Sequence, residues 1–251
     1  MIDIGVATSI AKKYDYSWQF TIEFCLKQGL DSIQFYMPTD YIIPNIPSAL
    51  KIANKYLHLP PNFLANETET FQACDNFVSY YRSNKLIMHQ NDSYSPDRLR
   101  SIILAFNHKE FQIGLENDGN NSIENYYNLL HAYLSSNMNV FPVLDVHRFF
   151  HDFYKIFHFE IILDMIIRIL NLCARFEKKV VLHIVDSTTF SSDRLHWCNV
   201  FQGLVPYRDI FNYINRKQIL IETIIFEYEA ENITIESIKK IKEKIIIFSK
   251  N

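Results

Sequence analysis

The sequence predicts a single (β/α)8 TIM barrel over residues 1–251. Three observations predict it. Short, continuous apolar runs recur eight times at a mean spacing of about 31 residues, the length that one strand and a crossover helix need. Helical patterns fill the gaps between them. Polar, metal-type side chains follow the runs directly, at the strand ends where active sites of this fold lie. An open doubly wound sheet also alternates strand and helix, but seldom in eight even units. No Pro-, Gly- or Ser-rich linker and no low-complexity tract divides the chain.

In order, the runs are Ile2–Val6, Ser32–Phe35, Tyr56–Leu59, Lys85–Met88, Phe111–Leu115, Val140–Leu144, Lys179–Ile184 and Gln218–Glu222. They are continuously apolar rather than alternating, as strands buried on both faces of a parallel sheet are. Ser17 to Gln28 carries Trp18, Ile22, Cys25 and Leu26 near helical spacing, and Gly29 suits a helix C-terminus. Ser95-Pro96-Asp97 opens a helix ahead of Leu99, Ile102 and Leu104. Further helices are predicted over Tyr126–Leu134, Phe159–Phe176, Tyr207–Ile214 and Ile233–Ile247.

Composition narrows the function. Apolar residues make up 48% and charged residues 21%, a globular balance with a sizeable core. Only five glycines occur, and neither GxGxxG nor GxxxxGK[ST] is present, so no phosphate loop and no organic cofactor is expected. The N-terminus Met1-Ile2-Asp3-Ile4-Gly5 lacks the basic and apolar regions of a signal peptide. The stretch Phe159–Cys173 is interrupted by Glu160, Asp164, Arg168 and Asn171, too polar for a bilayer. Cys25, Cys74, Cys173 and Cys198 form no CxxC pair and read as free thiols of a cytoplasmic protein. A net charge of −3 supplies no bulk basic surface for nucleic acid.

The strand ends carry the chemistry. They read Leu57-His58-Leu59, Met88-His89-Gln90, Leu115-Glu116-Asn117, Leu144-Asp145-Val146-His147, Leu182-His183-Ile184 and Ile221-Glu222-Thr223. One such histidine is ordinarily a hydrogen-bonded structural residue, and one carboxylate a helix cap. Glu116, Asp145 and Glu222 together would converge in one ring, and buried carboxylates are costly unless paired or metal-bound. A divalent metal held by these three and His183 is the simplest physical answer.

With Gly114-Leu115-Glu116-Asn117, Leu144-Asp145-Val146-His147, Leu182-His183-Ile184-Val185-Asp186-Ser187, Asp193-Arg194-Leu195-His196 and Leu220-Ile221-Glu222-Thr223 in this order, the chain resembles the xylose isomerase-like TIM barrels. That superfamily holds sugar and sugar-phosphate isomerases and epimerases, and the apurinic endonuclease IV group. In the epimerase-like branch, the resemblance implies one Mn, Mg or Co ion on Glu116, Asp145, His183 and Glu222. The two glutamates then act as base and acid through an enediolate on a small sugar, sugar acid or related hydroxy-ketone. His58, His89, His147 and His196 would bind substrate, and Arg194 could reach an anionic group.

In the endonuclease-like branch, it implies up to three Zn ions. One would lie on His58, His89 and Glu116. A second would share Glu116, Asp145, His183 and Glu222. The third would lie on His147, Asp193 and His196. DNA is a partner only under this alternative. One metal would bring the net charge to about −1 and three to about +3, which reopens nucleic acid.

The chain departs from both patterns. Strand 1 ends Val6-Ala7-Thr8-Ser9 without the endonuclease histidine. Asp145 and His147 are two apart where that group has three, and Asp193 and His196 three apart where it has two. Gln34 stands where many epimerases carry a glutamate. Cys198 beside His196 is a weak candidate for a nucleophile pair. Specificity is expected in the loops Asn62–Thr70 and Ser187–Pro206, no membrane contact is expected, and a homo-oligomer is compatible with the sequence.

Overall fold

Eight parallel strands close on themselves, each paired with its sequence neighbours and the last paired with the first. The computed structural model describes residues 2–90, 95–117, 123–136, 138–190 and 196–248. The barrel strands are β1 (Asp3–Ala7), β2 (Ser32–Tyr36), β3 (Asn54–His58), β4 (Lys85–His89), β5 (Gln112–Glu116), β6 (Val140–Asp145), β7 (Val180–Ile184) and β8 (Ile221–Phe226). Closure runs through Asp3–Thr223 to Val6–Phe226. A two-residue ribbon, Asp186–Ser187 against Trp197–Cys198, extends β7 beyond the barrel.

The (β/α)8 fold is as expected, and the first seven strands lie within two residues of the apolar runs. The eighth does not. Helix α7 (Tyr207–Lys217) continues past Ile214, and Gln218 turns it off in a left-handed conformation (φ 52°). Gln218 and Ile219 donate their N–H groups to Asn215 and Ile214 at the helix end. The chain therefore enters β8 only at Ile221, and the strand ends at Phe226 rather than at Glu222.

The outer ring is α1 (Trp18–Lys27), α2 (Glu67–Tyr81), α3 (Pro96–His108), α4 (Ile123–Ser135), α5 (Val146–Phe153), α6 (Phe159–Arg175), α7 and α8 (Glu231–Phe248). Ser17 and Ser95 cap α1 and α3, each hydroxyl accepting the N–H three residues on at 3.3 Å. Gly29 adopts φ 58° just past α1. The sequence gives no range for helices α2 and α5. Residues Asn62–Thr70, read as a loop, already include the first turn of α2.

Burial divides into two compartments. Most core residues fill the layer between helices and sheet. A small inner cluster of Ala7, Tyr56, Ile87, Phe141, Val143, Val181 and Ile225 plugs the barrel itself. Gly114 belongs to this layer: a Cβ there would lie 2.6 Å from the Phe141 ring, which takes the space. All four cysteines are free, and Cys25, Cys74 and Cys173 are buried. Among the described residues, no helix is long and apolar enough to cross a membrane.

Candidate active site

Strand side chains alternate between faces, so a residue two beyond an inward apolar one also points inward. Tyr56, Ile87, Gly114, Val143, Val181 and Ile225 form or line the inner plug. Two residues on stand His58, His89, Glu116, Asp145, His183 and Glu227. The apolar layer is thus the floor of a polar one at the C-terminal mouth of the barrel.

Glu116 is the hub. It is 1% exposed. Its Oε2 lies 2.8 Å from His58 Nε2 and 3.9 Å from His89 Nε2, and its Oε1 lies 3.2 Å from His183 Nδ1. Burial disfavours its charge, but His183, His89 and His58 outweigh that and hold the carboxyl well below the usual range. His183 Nδ1 is also 3.4 Å from Glu227 Oε1. Burial would lower the pKa of His183, yet Glu227, Glu116 and Asp145 together raise it to about 9. Glu227 goes the other way from Glu116: burial first, then Glu116 and Asp145, raise it against the pull of His183. Gln34 Nε2 donates to Glu227 Oε1 at 2.9 Å, and the Tyr36 hydroxyl donates to it at 3.4 Å.

Two groups here have the donors for a metal, one atom per residue within 4.8 Å of one another. They are Glu116, His183 and Glu227, and His58, His89 and Glu116. The first fits a hard divalent cation by its chemistry, two carboxylates and an imidazole. His183 supports the fit: its proton is the cation between two carboxylates, and its Nε2 is buried with no hydrogen-bond partner among the described residues. Above the groups opens a cavity of about 280 Å3, walled by Tyr36, Met37, Leu59, Pro60, Pro61 and Arg148. A second hollow along Asp15, Tyr16, Trp18 and Asp40 shares the Tyr36–Met37 wall.

Asp145 stands at the ring but turns to Arg148, the third residue of α5. Asp145 Oδ1 accepts the Arg148 N–H at 3.0 Å as the helix cap, and Oδ2 accepts Arg148 Nε at 3.0 Å. Asn117 locks the same corner: Asp145 N donates to Asn117 Oδ1 at 2.8 Å, and Asn117 Nδ2 donates to the Asp145 carbonyl at 3.0 Å. Arg148 Nη1 reaches His89 Nδ1 at 2.9 Å.

The structure brings together His58, His89, Glu116 and His183, with Asp145 beside them. Glu222 is corrected: it lies at the opposite, N-terminal end of the barrel. There it meets Lys85 Nζ and accepts the Tyr56 hydroxyl at 3.1 Å. A register irregularity between Ile221 and Thr223 accompanies it. Glu227 holds the mouth position expected for Glu222. The signal was present, since Ile224-Ile225-Phe226 is an apolar run ending in a carboxylate.

His147 is buried away from both groups, its Nε2 2.9 Å from Ser187 Oγ and its ring against Phe190 and Trp197. His196 is exposed. Asp193 and Arg194 lie outside the described residues. Cys198 is no activated thiol, because burial, helped by Asp186, raises it to about 11. Arg148 was missed altogether; only the fold of α5 onto the end of β6 brings it to the site.

No protein-family model matches the chain, and none of the curated proteins matches it. Solved structures do resemble it in fold. A probable 3-DHS dehydratase from Bacillus anthracis, AsbF, involved in petrobactin synthesis, superposes with a TM-score of 0.65 at 13% identity, over 96% of this chain and 99% of that one. The IolI protein, solved with a bound zinc atom, gives 0.64 at 12% identity over 98% of each chain. D-Allulose 3-epimerase from Methylomonas sp. gives 0.59 at 12% identity, over 96% and 97%. The fold is that of the xylose isomerase-like TIM barrels.

Proposed function

We propose that this chain is a divalent-metal-dependent isomerase or epimerase of a small sugar, sugar acid or related hydroxy-ketone, working through an enediolate. The observation that carries this reading is the group of buried Glu116 and His183 with partly buried Glu227 at the floor of a cavity. A Mn, Mg or Co ion held there by these three residues would polarise the substrate's carbonyl and hydroxyl oxygens and stabilise enediolate charge. The dehydratase and epimerase among the fold neighbours, and the zinc in IolI, support the same class of chemistry.

The rest falls to this chain's own groups. Enediolate chemistry removes a proton from the carbon beside a carbonyl and returns it elsewhere, so it needs a base and an acid of different proton affinity. Glu116 and Glu227 are driven apart in that sense, one kept ionised and the other pushed up. Gln34 and Tyr36 donate to one oxygen of Glu227 and so orient the carboxyl that would carry the proton. Met37, Leu59, Pro60 and Pro61 form an apolar wall that limits water. The cavity is at the small end for ligand sites, which favours a monosaccharide-sized substrate over a polymer.

The test is solvent exchange. Metal-loaded protein is incubated in deuterated water with a panel of ketoses, aldoses and keto-sugar acids, and the carbon-bound protons are followed by NMR. One C–H signal beside the carbonyl is expected to disappear for at least one compound. Absence of exchange across the panel, in protein that binds metal, would remove the proposal. A second reading, a zinc-dependent apurinic-site endonuclease, is favoured by the group His58, His89 and Glu116. It is tested by nicking of a duplex with one abasic site in the presence of zinc. Against it, His147 is engaged with Ser187 rather than with a third cluster.

A further inference from the structure

We propose that Arg148 withdraws His89 from metal binding by fixing its tautomer, so that the centre takes one metal ion and His89 remains in the cavity wall as a hydrogen-bond donor. The proposal rests on the single-metal reading above and adds the residue that enforces it.

The argument is one of donors and acceptors. A guanidinium only donates. Arg148 Nη1 lies 2.9 Å from His89 Nδ1, so Nδ1 must present its lone pair. An imidazole whose Nδ1 accepts is neutral and carries a single N–H. The proton therefore sits on Nε2, the nitrogen turned to Glu116 Oε2 at 3.9 Å. That is the atom His89 would have to offer a metal shared with Glu116, and an N–H cannot coordinate.

His58 makes the contrast. Its Nδ1 faces the Leu59 carbonyl at 3.0 Å, and a carbonyl only accepts. Nδ1 therefore keeps its proton, and Nε2 donates to Glu116 Oε2 at 2.8 Å, a proton that a metal would displace. This is the arrangement by which a backbone carbonyl prepares a histidine ligand. Of His58 and His89, then, only His58 can turn an Nε2 lone pair to a metal while keeping its Nδ1 partner, and the second metal group is incomplete.

Arg148 is fixed in this role. Its Nε is held by Asp145 Oδ2 at 3.0 Å, and Asp145 is itself fixed by its Oδ1 on the Arg148 backbone N–H at 3.0 Å, so the guanidinium cannot swing away without giving up that ion pair. The planar fork makes both contacts from one side chain, which a shorter or rotating donor would not.

Two measurements test this. Long-range proton–nitrogen NMR on histidine-labelled, metal-free protein, assigned with His89→Gln, should show His89 as the Nε2–H tautomer. Native mass spectrometry in excess zinc should find one ion on the wild type and two on Arg148→Ala. Arg148→Gln serves if the alanine variant does not fold. Two zinc ions on the wild type, or His89 as the Nδ1–H form, would overturn the proposal. So would an Arg148→Ala protein that keeps one ion and the Nε2–H tautomer. A wild type that binds no zinc, Mn or Mg defeats the metal-dependent reading of function and the stoichiometry with it, and the tautomer measurement then decides the Arg148–His89 assignment alone.

Discussion

Glu222, near the start of β8, and Glu227, just past its end, serve opposite mouths of the barrel. Five residues of extended chain separate them by roughly 16 Å. Glu222 is tied to Lys85 and Tyr56 at the N-terminal end, and Glu227 to His183, Gln34 and Tyr36 at the C-terminal end. In this fold the first end supports stability and the second supports chemistry.

Substitution of the two should therefore have opposite effects. Glu222→Gln leaves Lys85 and Tyr56 without a charged partner in a mostly buried place, which should cost about 2 kcal/mol in urea unfolding. Metal affinity, measured by calorimetry, should stay within a few-fold of wild type. Glu227→Gln should leave unfolding nearly unchanged while metal affinity and solvent exchange fall, the latter by about 100-fold or more. A Glu222→Gln protein that has lost metal binding would show that the strand register is wrong.

Metal binding should release a proton. His183 is held protonated by two carboxylates, with a pKa near 9, and a cation in the same place replaces that proton. Calorimetry at pH 7.5 in buffers of different ionisation enthalpy should thus report release on the order of one proton per metal. A heat independent of buffer would count against His183 as a ligand.

The stability of metal-free protein should depend on pH from both sides. His147 and His89 are lowered by burial to about 4 and about 3, so the folded state resists their protonation. Their contribution is whole above about pH 6.5 and is lost as pH falls towards 4 and below. His183 has the opposite sign. Its folded pKa is raised, so its contribution is whole below about pH 6.5 and is lost as pH rises through 9. Unfolding free energy should peak near neutrality, and His147→Gln should flatten the acid limb. An unchanged acid limb in that variant would refute the role of His147.

Gly203 is required by contact rather than by backbone angle. A Cβ there would fall 2.1 Å from Asp186 Oδ1 and 2.4 Å from the Ser187 carbonyl. The Asp186 carboxylate accepts the N–H groups of Gly203, Val205 and Ser187, which pins the β7 extension to the loop after it. Gly203→Ala should cost about 1–3 kcal/mol in a thermal melt, by overpacking. A melt equal to wild type would mean that the loop yields freely.

The barrel and most of its mouth were legible because their signals are local. An apolar run followed by a polar residue fixes both the strand and the face, as in Leu57-His58, Leu115-Glu116 and Leu182-His183. Two local signals misled. Gln218-Ile219-Leu220-Ile221 looks like a strand, but the helix before it does not stop where its pattern weakens, and the left-handed turn at Gln218 consumes the run. Helix α2 carries its buried residues thinly, at Thr70, Ala73, Cys74, Phe77 and Tyr81, so its periodicity was faint.

What the sequence by itself determined is the alternation of strand and helix, and with it a ring of histidines and carboxylates at one end of a closed barrel. Those follow from period and order along the chain. Whether Glu222 or Glu227 joins the ring, that Asp145 is bound to Arg148, and which nitrogen of each histidine faces inward were decided only in the tertiary structure. These depend on register and on donor–acceptor pairing between residues as distant as His89 and Arg148, where the proton settles according to what the partner can give or take.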